Sequence, residues 1–410
     1  MALFKNHTLP LNKLLALIPQ ELFAQISQAT NVDYYAKVLS GKLMFNLLFF
    51  AILTLDKMGQ RGIADLFSSP QFRLLMEEEL DKKQISHSSI SERLSVINAD
   101  FFKQFYECIL SEYSRYFPAK TLAGLRLERV DSSLVLETSN KLSEGMTVSN
   151  GFKSRKMVKY TINFDGMYGT CATVHTESHY QNESVALPEN VLEHFKQTQD
   201  HASVYIFDRG QSSANAFSEM NAQKGLKFVG RLLENRRLNV VREFDCHYKK
   251  FSCGELKQDC LAQLYKKVEK EGKNGKMFRH QVLEESVFRV IRFRPEGKSE
   301  DILLITNILN LRAETIAAMY RRRWDIEVFF RFIKQELNFS HFVSLNINGI
   351  QTILYMTLIV AMLLMIYKQV NGTGFKTAKR RMEIELQELI IAIAVVKSGG
   401  DLTKMNLPAP

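Results

Sequence analysis

The order of segments between residues 125 and 231 limits the possible folds of this chain more than any other feature. Three runs with strand character follow one another: Leu125–Glu137, Lys156–Asp165 and Tyr168–His175. Helical and strand segments then alternate: Pro188–Gln197, Ser203–Phe207, Ser212–Gln223 and Lys227–Arg231. Because Asp165-Gly166 is typical of a tight hairpin turn, the pattern predicts consecutive antiparallel strands followed by alternating helix and strand, as in an α/β protein.

Two aspartates stand at strand ends in this pattern. Asp131 ends a run of strand character that starts at Arg126, and Asp208 follows the apolar run Ser203–Phe207. Taken alone, each favours a structural explanation, as a turn residue or as a cap of the following helix. Strand ends can nevertheless bring distant residues together, so both aspartates are candidates for one site.

A second constellation lies in the segment 320–334. Its polar residues recur at intervals of three, four and seven, which places them on one face of a continuous helix: Tyr320, Arg323, Glu327 and Lys334. Arg331 joins this polar face. An exposed basic helix with ion pairs one turn apart would show the same spacing. The intervening residues are largely apolar, which predicts a helix packed in a domain with its polar face on a site.

This spacing resembles the signature of the transposases of bacterial IS4-type insertion sequences, Tyr-x2-Arg-x3-Glu-x6-Lys. The polar face fits the signature at every position, and the resemblance covers roughly residues 125–345. In that family the glutamate is the last of three metal-binding carboxylates. The resemblance therefore implies that Asp131, Asp208 and Glu327 are the catalytic residues and bind two Mg²⁺ ions, for which Mn²⁺ can substitute.

Phosphoryl transfer gives a physical reason for three carboxylates. Two Mg²⁺ ions about 3.5–4 Å apart activate the attacking oxygen and stabilise the leaving one, and hard carboxylate oxygens suit Mg²⁺. The resemblance also implies that Tyr320, Arg323 and Lys334 contact DNA phosphates. Arg322 and Arg331 are expected to add positive charge there, with solvated basic surface as an equal alternative.

The implied activity is that of a DDE transposase. The protein would bind the terminal inverted repeats of its own element, cut the double-stranded DNA there and join the cut ends to target DNA. In the synaptic complex it would act as a homodimer. A catalytically inactive DNA-binding relative and a nuclease of the same fold without strand transfer are the alternatives. The intact carboxylates disfavour the first, and the polar face disfavours the second.

The expected architecture is an RNase H-like catalytic core interrupted by a β-rich insertion. A helical DNA-binding domain at 1–118 precedes the first part of the core at 119–234. Because Asp208 and Glu327 are much further apart than one strand and one helix require, an insertion is predicted at 235–307. The second part of the core follows at 308–375, with the Glu327 helix and a buried helix, and a helical tail ends the chain at 376–410.

Within these domains the sequence predicts several smaller features. The Ser-rich segment Gln84–Leu94 is expected to be a capped helix that enters a DNA groove, or else an ordinary surface helix. The insertion is expected to contain a basic helix at Glu255–Glu271. Four aromatic residues of the insertion are candidates for stacking a flipped DNA base: Tyr248, Phe251, Phe278 and Phe288. The tail helix Ala378–Val396 is expected either to support dimerisation or to close the catalytic domain.

Composition agrees with this interpretation without deciding it. The 410 residues carry a formal net charge of +10, which suits an acidic polymer as partner. Five cysteines in a chain of this length favour a reducing cytoplasm, where the protein would meet the nucleoid. The uncharged run Phe342–Tyr367 approaches the length of a membrane span. Its polar first third favours a buried core helix and no association with a membrane.

Overall fold

The computed structural model describes residues 4, 7–76, 84–137, 141–149, 154–210, 213–244, 250–252, 254–271 and 277–402. The chain forms two compact units. Unit 1 comprises the described parts of 1–118, 135–157 and 329–410, and unit 2 those of 119–134 and 158–328. The chain therefore passes between the units several times.

The described residues form helices and strands with the following bounds in chain order. The helices are α1 (Leu11–Leu15), α2 (Glu21–Thr30), α3 (Gly41–Thr54), α4 (Gln60–Ser68), α5 (Pro70–Leu75), α6 (His87–Val96), α7 (Asp100–Tyr116), α8 (Glu183–Thr198), α9 (Ala214–Ala222), α10 (Ala313–Arg321), α11 (Trp324–Glu336), α12 (Ile347–Val370) and α13 (Phe375–Lys397). The strands are β1 (Thr121–Leu122), β2 (Leu125–Leu136), β3 (Met146–Ser149), β4 (Ser154–Phe164), β5 (Gly169–His175), β6 (Ser203–Phe207), β7 (Lys227–Leu232), β8 (Leu238–Glu243), β9 (Lys250–Phe251), β10 (Gly254–Glu271), β11 (Met277–Pro295) and β12 (Ile302–Thr306).

The described part of the first 118 residues is helical, as predicted. Several helices begin at serines whose hydroxyls accept a hydrogen bond from a backbone N–H three residues later: Ser40, Ser69 and Ser86. Pro70 is the first residue of α5 and separates it from α4. Proline cannot continue a helix but suits its first turn, so the chain forms two helices here and not one.

The apolar helix α12 lies at the centre of unit 1. It packs against α3, α6, α7 and α13. By length and composition it could cross a membrane, but 94% of its most apolar window is buried inside the protein, as in a core helix. The sequence predicts this helix in the catalytic core at 308–375. It packs instead among the helices of unit 1, because those helices supply the apolar surfaces that cover it.

A buried polar cluster fixes α13 in unit 1. Glu385 accepts a hydrogen bond of 2.5 Å from the Tyr367 hydroxyl and another of 2.5 Å from the backbone N–H of Leu11. His7 Nε2 lies 2.9 Å from the same carboxylate. The expected tail helix is therefore present, and these contacts favour its role as a packing helix.

Unit 2 is built on a large mixed sheet. Its neighbouring strands follow the order β4-β2-β6-β7-β12-β11-β10-β8, with β5 also paired to β4, β1 to β2 and β9 to β10. Strands β2, β6 and β7 run parallel to one another, whereas β12 pairs antiparallel with β7. The predicted mixed α/β character is confirmed.

Alternating residues of the central strands form two cores, one on each face of the sheet. Tyr205 and Phe207 of β6 belong to a cluster with residues of α8 and α9. Val204 and Ile206 of the same strand belong to a second cluster with residues of α10. Side chains alternate between faces along a strand, so one short apolar run anchors helices on both sides.

The hairpin predicted at Asp165-Gly166 is present between β4 and β5. Asp165 Oδ1 accepts hydrogen bonds from the backbone N–H groups of Met167 (2.8 Å) and Tyr168 (2.7 Å). Gly166 has a φ of +100°, which a residue with a Cβ rarely adopts. The two strands pair antiparallel, as predicted.

Two expectations for the insertion are wrong. The segment expected as a basic helix is strand β10, because Cys260, Ala262 and Leu264 alternate into the core when β10 pairs with β11. Phe288 is fully buried in the same core and is not available to stack a base. Tyr248 and the side chains of Phe251 and Phe278 lie outside the part of the chain that is described.

The burial of α12 generates a prediction. Leu363 is 0% exposed, so Leu363→Asp would bury a carboxylate without a partner. We expect it to destabilise unit 1 by more than about 4 kcal/mol, measured by urea unfolding followed by circular dichroism.

Ile391→Asp provides the matched control, because Ile391 on α13 of the same unit is 45% exposed. Its stability should stay within about 0.5 kcal/mol of the wild type. Similar unfolding midpoints for the two variants would contradict the assignment of α12 as a core helix.

Candidate active site

The strand register aligns the two candidate aspartates. Strands β2 and β6 pair in parallel from Arg126 with Ser203 to Arg129 with Ile206. At the same offset, two residues further on, are Asp131 and Asp208. Asp208 directly follows β6, as predicted, whereas Asp131 lies within β2 and not at a strand end, because β2 continues to Leu136. Neighbouring strands lie about 4.8 Å apart, so these carboxylates leave the sheet side by side.

Strand alternation also gives the face on which they lie. Leu127, Val204 and Ile206 belong to the cluster beneath α10. Asp131 and Asp208 follow these residues at even spacing and therefore point toward the same side of the sheet. The aspartates thus leave the sheet on the side covered by α10, whose end carries Tyr320.

Tyr320, Arg323 and Glu327 converge on Asp208. The Tyr320 hydroxyl donates a hydrogen bond of 2.9 Å to Asp208 Oδ1. Arg323 Nη2 donates to Glu327 Oε1 at 2.5 Å and lies 3.6 Å from Asp208 Oδ2. One guanidinium group therefore connects the carboxylates of a strand end and of a helix.

The expectation of one continuous helix from Tyr320 to Lys334 is wrong. Helix α10 ends at Arg321 and α11 begins at Trp324. Between them the backbone bonds join residues three apart, such as Arg323 N–H to Tyr320 O (2.9 Å) and Asp325 N–H to Arg322 O (3.1 Å). This tighter turn interrupts the α-helical ladder.

Arg129 explains where the interruption lies. Its Nε donates to the carbonyl of Arg322 at 3.1 Å, and its Nη2 donates to Asp325 Oδ2 at 3.0 Å. Its Nη1 donates to the carbonyl of Leu127 in β2 at 2.8 Å. The buried guanidinium group thereby ties the turn to the strand that carries Asp131.

The charge balance around Asp208 favours its ionised form. Burial would raise the pKa of Asp208, but the charge of Arg323 and the hydrogen bonds from the Arg209 N–H and the Tyr320 hydroxyl outweigh it, so the pKa is lowered. Burial would lower the pKa of Arg323, yet Asp208 and Glu327 raise it. Arg323 and Asp208 therefore stabilise one another's charges.

Asp131 is compensated only in part. Burial raises its pKa to about 6, and the negative charges of Glu183 and Glu327 contribute to the increase. The Ser132 N–H, 2.8 Å from Asp131 Oδ1, and the charge of Arg323 oppose it only in part. A cation placed near Asp131 would favour its ionised form.

Glu183 lies at the edge of this site. It is the first residue of α8, and a Cβ atom on Gly210 would lie only 1.8 Å from Glu183 Oε2. Ser184 Oγ donates to the Gly210 carbonyl at 3.1 Å. The glycine therefore lets the loop after Asp208 lie directly against the Glu183 carboxylate.

The carboxylates suit a divalent metal by their chemistry. Asp131, Asp208 and Glu327 supply only hard, anionic oxygen donors, and the charge of Arg323 offsets only part of the pKa rise of the partly buried Asp131. Within the described ranges, no three His, Cys, Asp or Glu side chains already form a metal-binding group. Arg323 instead occupies the position between Asp208 and Glu327. The donor set fits Mg²⁺ or Mn²⁺, with Arg323 as the present counter-charge.

A cavity of about 810 Å³ adjoins the site in unit 2. Tyr320 and Arg323 line it, together with Arg231, Arg321 and Trp324. Trp324 is 52% exposed. The guanidinium groups suit a polyanionic ligand, and the exposed aromatic surface of Trp324 suits planar groups on the same ligand.

The remaining candidate DNA-binding residues differ in exposure. Arg322 and Arg331 are exposed. Lys334 lies in the part of α11 that belongs to unit 1, and burial lowers its pKa. Within the Ser-rich segment, residues 87–94 belong to the capped helix α6, which continues to Val96.

Sequence reasoning missed Arg129 and Glu183. Arg129 stands two residues before Asp131 and so shares its strand face, which is a signal that points to it. Glu183 gives no such signal, because only the fold brings the start of α8 to the loop after Asp208. Nothing in the sequence distinguishes Asp325 from neighbouring carboxylates, yet it is the partner of Arg129.

Comparisons with known proteins identify the family of the chain. The family model described as Transposase DDE domain matches residues 130–363, more than half of the chain and all of the candidate catalytic residues. A relative from Geobacillus stearothermophilus named "Probable transposase for insertion sequence element IS5377" is 24% identical over 371 residues, which cover 88% of this chain and 85% of the relative. The protein y4zB of Sinorhizobium fredii, named as a transposase, is 28% identical over 172 residues, 42% of this chain and 44% of its own.

One similar solved structure is a cryo-electron microscopy structure of a piggyBac transposase in a synaptic complex with hairpin DNA. The alignment has a TM-score of 0.45 and 11% sequence identity, and it covers 92% of this chain and 80% of that chain. The family match is the finding that identifies the chain. It belongs to the Transposase DDE domain family, whose members are enzymes that cleave DNA and transfer its strands.

Proposed function

We propose that this chain is an IS4-type transposase that binds the terminal inverted repeats of its own insertion sequence, cleaves the DNA there and joins the ends to target DNA. The observation that carries this proposal is the network in which Tyr320 and Arg323 reach Asp208 and Glu327. Three residues of the IS4-type signature and one strand-end aspartate meet in it. An exposed helix with ion pairs would not reach a strand end.

The sheet of unit 2 supports an RNase H-like interpretation of its first part. Strand β4 lies between β2 and β5, and β6 and β7 continue the sheet in parallel beyond β2. In this proposal the β-rich insertion at 235–307 contributes β8 to β12 to the same sheet. Asp131 then lies within core strand β2, and Asp208 directly follows the neighbouring strand β6.

Asp131, Asp208 and Glu327 would hold two Mg²⁺ ions, or Mn²⁺ in their place. When bound, the ions supply the charge that activates an attacking oxygen and stabilises a leaving one. Tyr320 and Arg323 orient Asp208 and Glu327 through their hydrogen bonds to these carboxylates and the ion pair with Asp208. Arg323 has a second role open to it, because a guanidinium group binds a phosphate with two hydrogen bonds as well as it binds a carboxylate.

Double-stranded DNA is the proposed partner, at the element ends and at the target. The cavity beside Tyr320 and Arg323 would receive the cleaved end, with Arg322 adding charge nearby. Lys334 and Arg331 would contact phosphates from unit 1. Two copies of the chain would hold two ends in a synaptic complex, in the cytoplasm at the nucleoid.

The first prediction from this proposal concerns the carboxylates. We expect each of three single substitutions to reduce Mg²⁺-dependent cleavage of an oligonucleotide carrying the terminal repeat: Asp131→Asn, Asp208→Asn and Glu327→Gln. The reduction should exceed about 100-fold, because loss of a direct metal ligand costs more than loss of a residue that only hydrogen-bonds to a ligand. Affinity for the DNA, measured by fluorescence anisotropy, should be unchanged or higher, because phosphate contacts persist and a negative charge is lost.

Glu219→Gln is the matched control for charge, since Glu219 is an exposed residue of α9 in the same unit. It should cleave like the wild type. Wild-type cleavage by any of the three site variants would remove that residue from the proposed active site.

The second prediction concerns the cations. Arg323→Ala and Lys334→Ala should each weaken DNA-end binding and reduce the slope of log K against log salt by about 0.9, the change expected for one lost phosphate contact. Titrations at several salt concentrations measure this directly.

Lys224→Ala serves for comparison, because it removes an exposed positive charge from the turn after α9. Its salt slope should match that of the wild type. If Arg323→Ala or Lys334→Ala behaves like Lys224→Ala, that residue does not contact DNA.

A further inference from the structure

Arg129 makes more connections in unit 2 than its position in a strand would suggest. Through three different nitrogens it reaches the Leu127 carbonyl of β2, the Arg322 carbonyl and the Asp325 carboxylate. The last two belong to the turn between α10 and α11 and to the first turn of α11. One side chain therefore joins the strand of Asp131 to the segment that carries Arg323 and Glu327.

The environment of Arg129 shows that this connection is enclosed. The residue is 5% exposed. Burial lowers its pKa, while the charges of Asp325, Asp165 and Glu128 act in the opposite direction. Burying a guanidinium group is unfavourable unless its donors are satisfied, and Arg129 satisfies donors on all three of its nitrogens.

The Arg322 carbonyl is the informative acceptor. It also accepts the N–H of Asp325 at 3.1 Å, in the turn that interrupts the helix. Arg323, the next residue along, donates to Glu327 at 2.5 Å and lies 3.6 Å from Asp208. The hydrogen bond from Arg129 thus holds the peptide immediately before the residue that connects the carboxylates.

We propose that Arg129 is a positioning residue for the active site, which fixes the turn at Arg322 and thereby the placement of Arg323 and Glu327 against Asp208. It touches neither the metals nor the DNA in this role. The inference rests on the proposed function, since it assigns a residue that organises the same carboxylates.

Lysine cannot replace arginine at this position. Its single ammonium group carries three donors on one atom, whereas Arg129 addresses acceptors on two elements from separate nitrogens of a rigid plane. Arg129→Lys therefore keeps the positive charge opposite Asp325 but loses part of the connection to the turn. Asp325→Asn removes the charged partner and leaves both carbonyl contacts possible.

The experiment compares full-length wild type, Arg129→Lys and Asp325→Asn. We expect Arg129→Lys to lower kcat for cleavage by about 10–100-fold with little change in KM for the DNA end, and to weaken Mn²⁺ binding by a similar factor in calorimetry without DNA. Asp325→Asn should show a smaller loss in both measurements. The fold-loss in kcat and in Mn²⁺ affinity of the double variant should be smaller than the product of the two single fold-losses, because both substitutions affect the same connection.

A control of matched stability separates positioning from general destabilisation. Phe217→Leu lies in the core on the other face of the sheet and should lower Tm without altering Mn²⁺ affinity. If Arg129→Lys binds Mn²⁺ and cleaves like Phe217→Leu, the inference is overturned. If Arg129→Lys does not fold, the Asp325→Asn variant decides, because Asp325 is half-exposed. A Mn²⁺ affinity and a kcat equal to those of the wild type in Asp325→Asn would then overturn the inference.

The proposed function fails in a different way. A wild-type protein that binds Mn²⁺ at the carboxylates but cleaves no terminal-repeat DNA would contradict the proposed function alone. A cleaving wild type with an unaffected Arg129→Lys variant would contradict only the positioning role.

Discussion

The contact between Arg129 and the turn at Arg322 is the interaction on which the candidate site depends. Asp131 and Asp208 are placed by the register of two parallel strands, which the sheet fixes without further help. Glu327 lies on a helix distant in sequence, and its position follows from where that helix begins. The bonds from Arg129 to Arg322 and Asp325 define that beginning.

Charge neutralisation is the second constraint. Several carboxylates meet in a partly buried region, where like charges repel more strongly than they do in water. Arg323 compensates Asp208 and Glu327, whereas Asp131 retains a pKa raised to about 6. Divalent cations would remove this imbalance.

The sequence was sufficient for the central part of the fold. Alternation and turn residues predicted β2, β4, β5, β6 and β7 closely, because β6 is a short apolar run and the Asp165-Gly166 turn marks where β4 ends and β5 begins. It failed for β10, whose charged residues suggested a helix until pairing with β11 buried alternate positions. It also misplaced α12, because an apolar helix does not specify which surfaces will cover it.

For the site, spacing alone selected Tyr320, Arg323 and Glu327, which meet at Asp208 in the structure. Spacing could not reveal that the helix is interrupted, because the interruption depends on Arg129 from a distant strand. Nor could it reveal Glu183, whose carboxylate approaches the loop after Asp208 only in the folded chain. Contacts between elements far apart in sequence are the part that a single sequence leaves open.

The most direct test of the central claim is to replace Mg²⁺ with Fe²⁺ and map where locally generated hydroxyl radicals cut the polypeptide. If Asp131, Asp208 and Glu327 bind metal together, cuts should appear beside all three positions and disappear when excess Mg²⁺ competes. Cuts confined to one of these positions, or cuts elsewhere that Mg²⁺ does not suppress, would contradict a shared metal site.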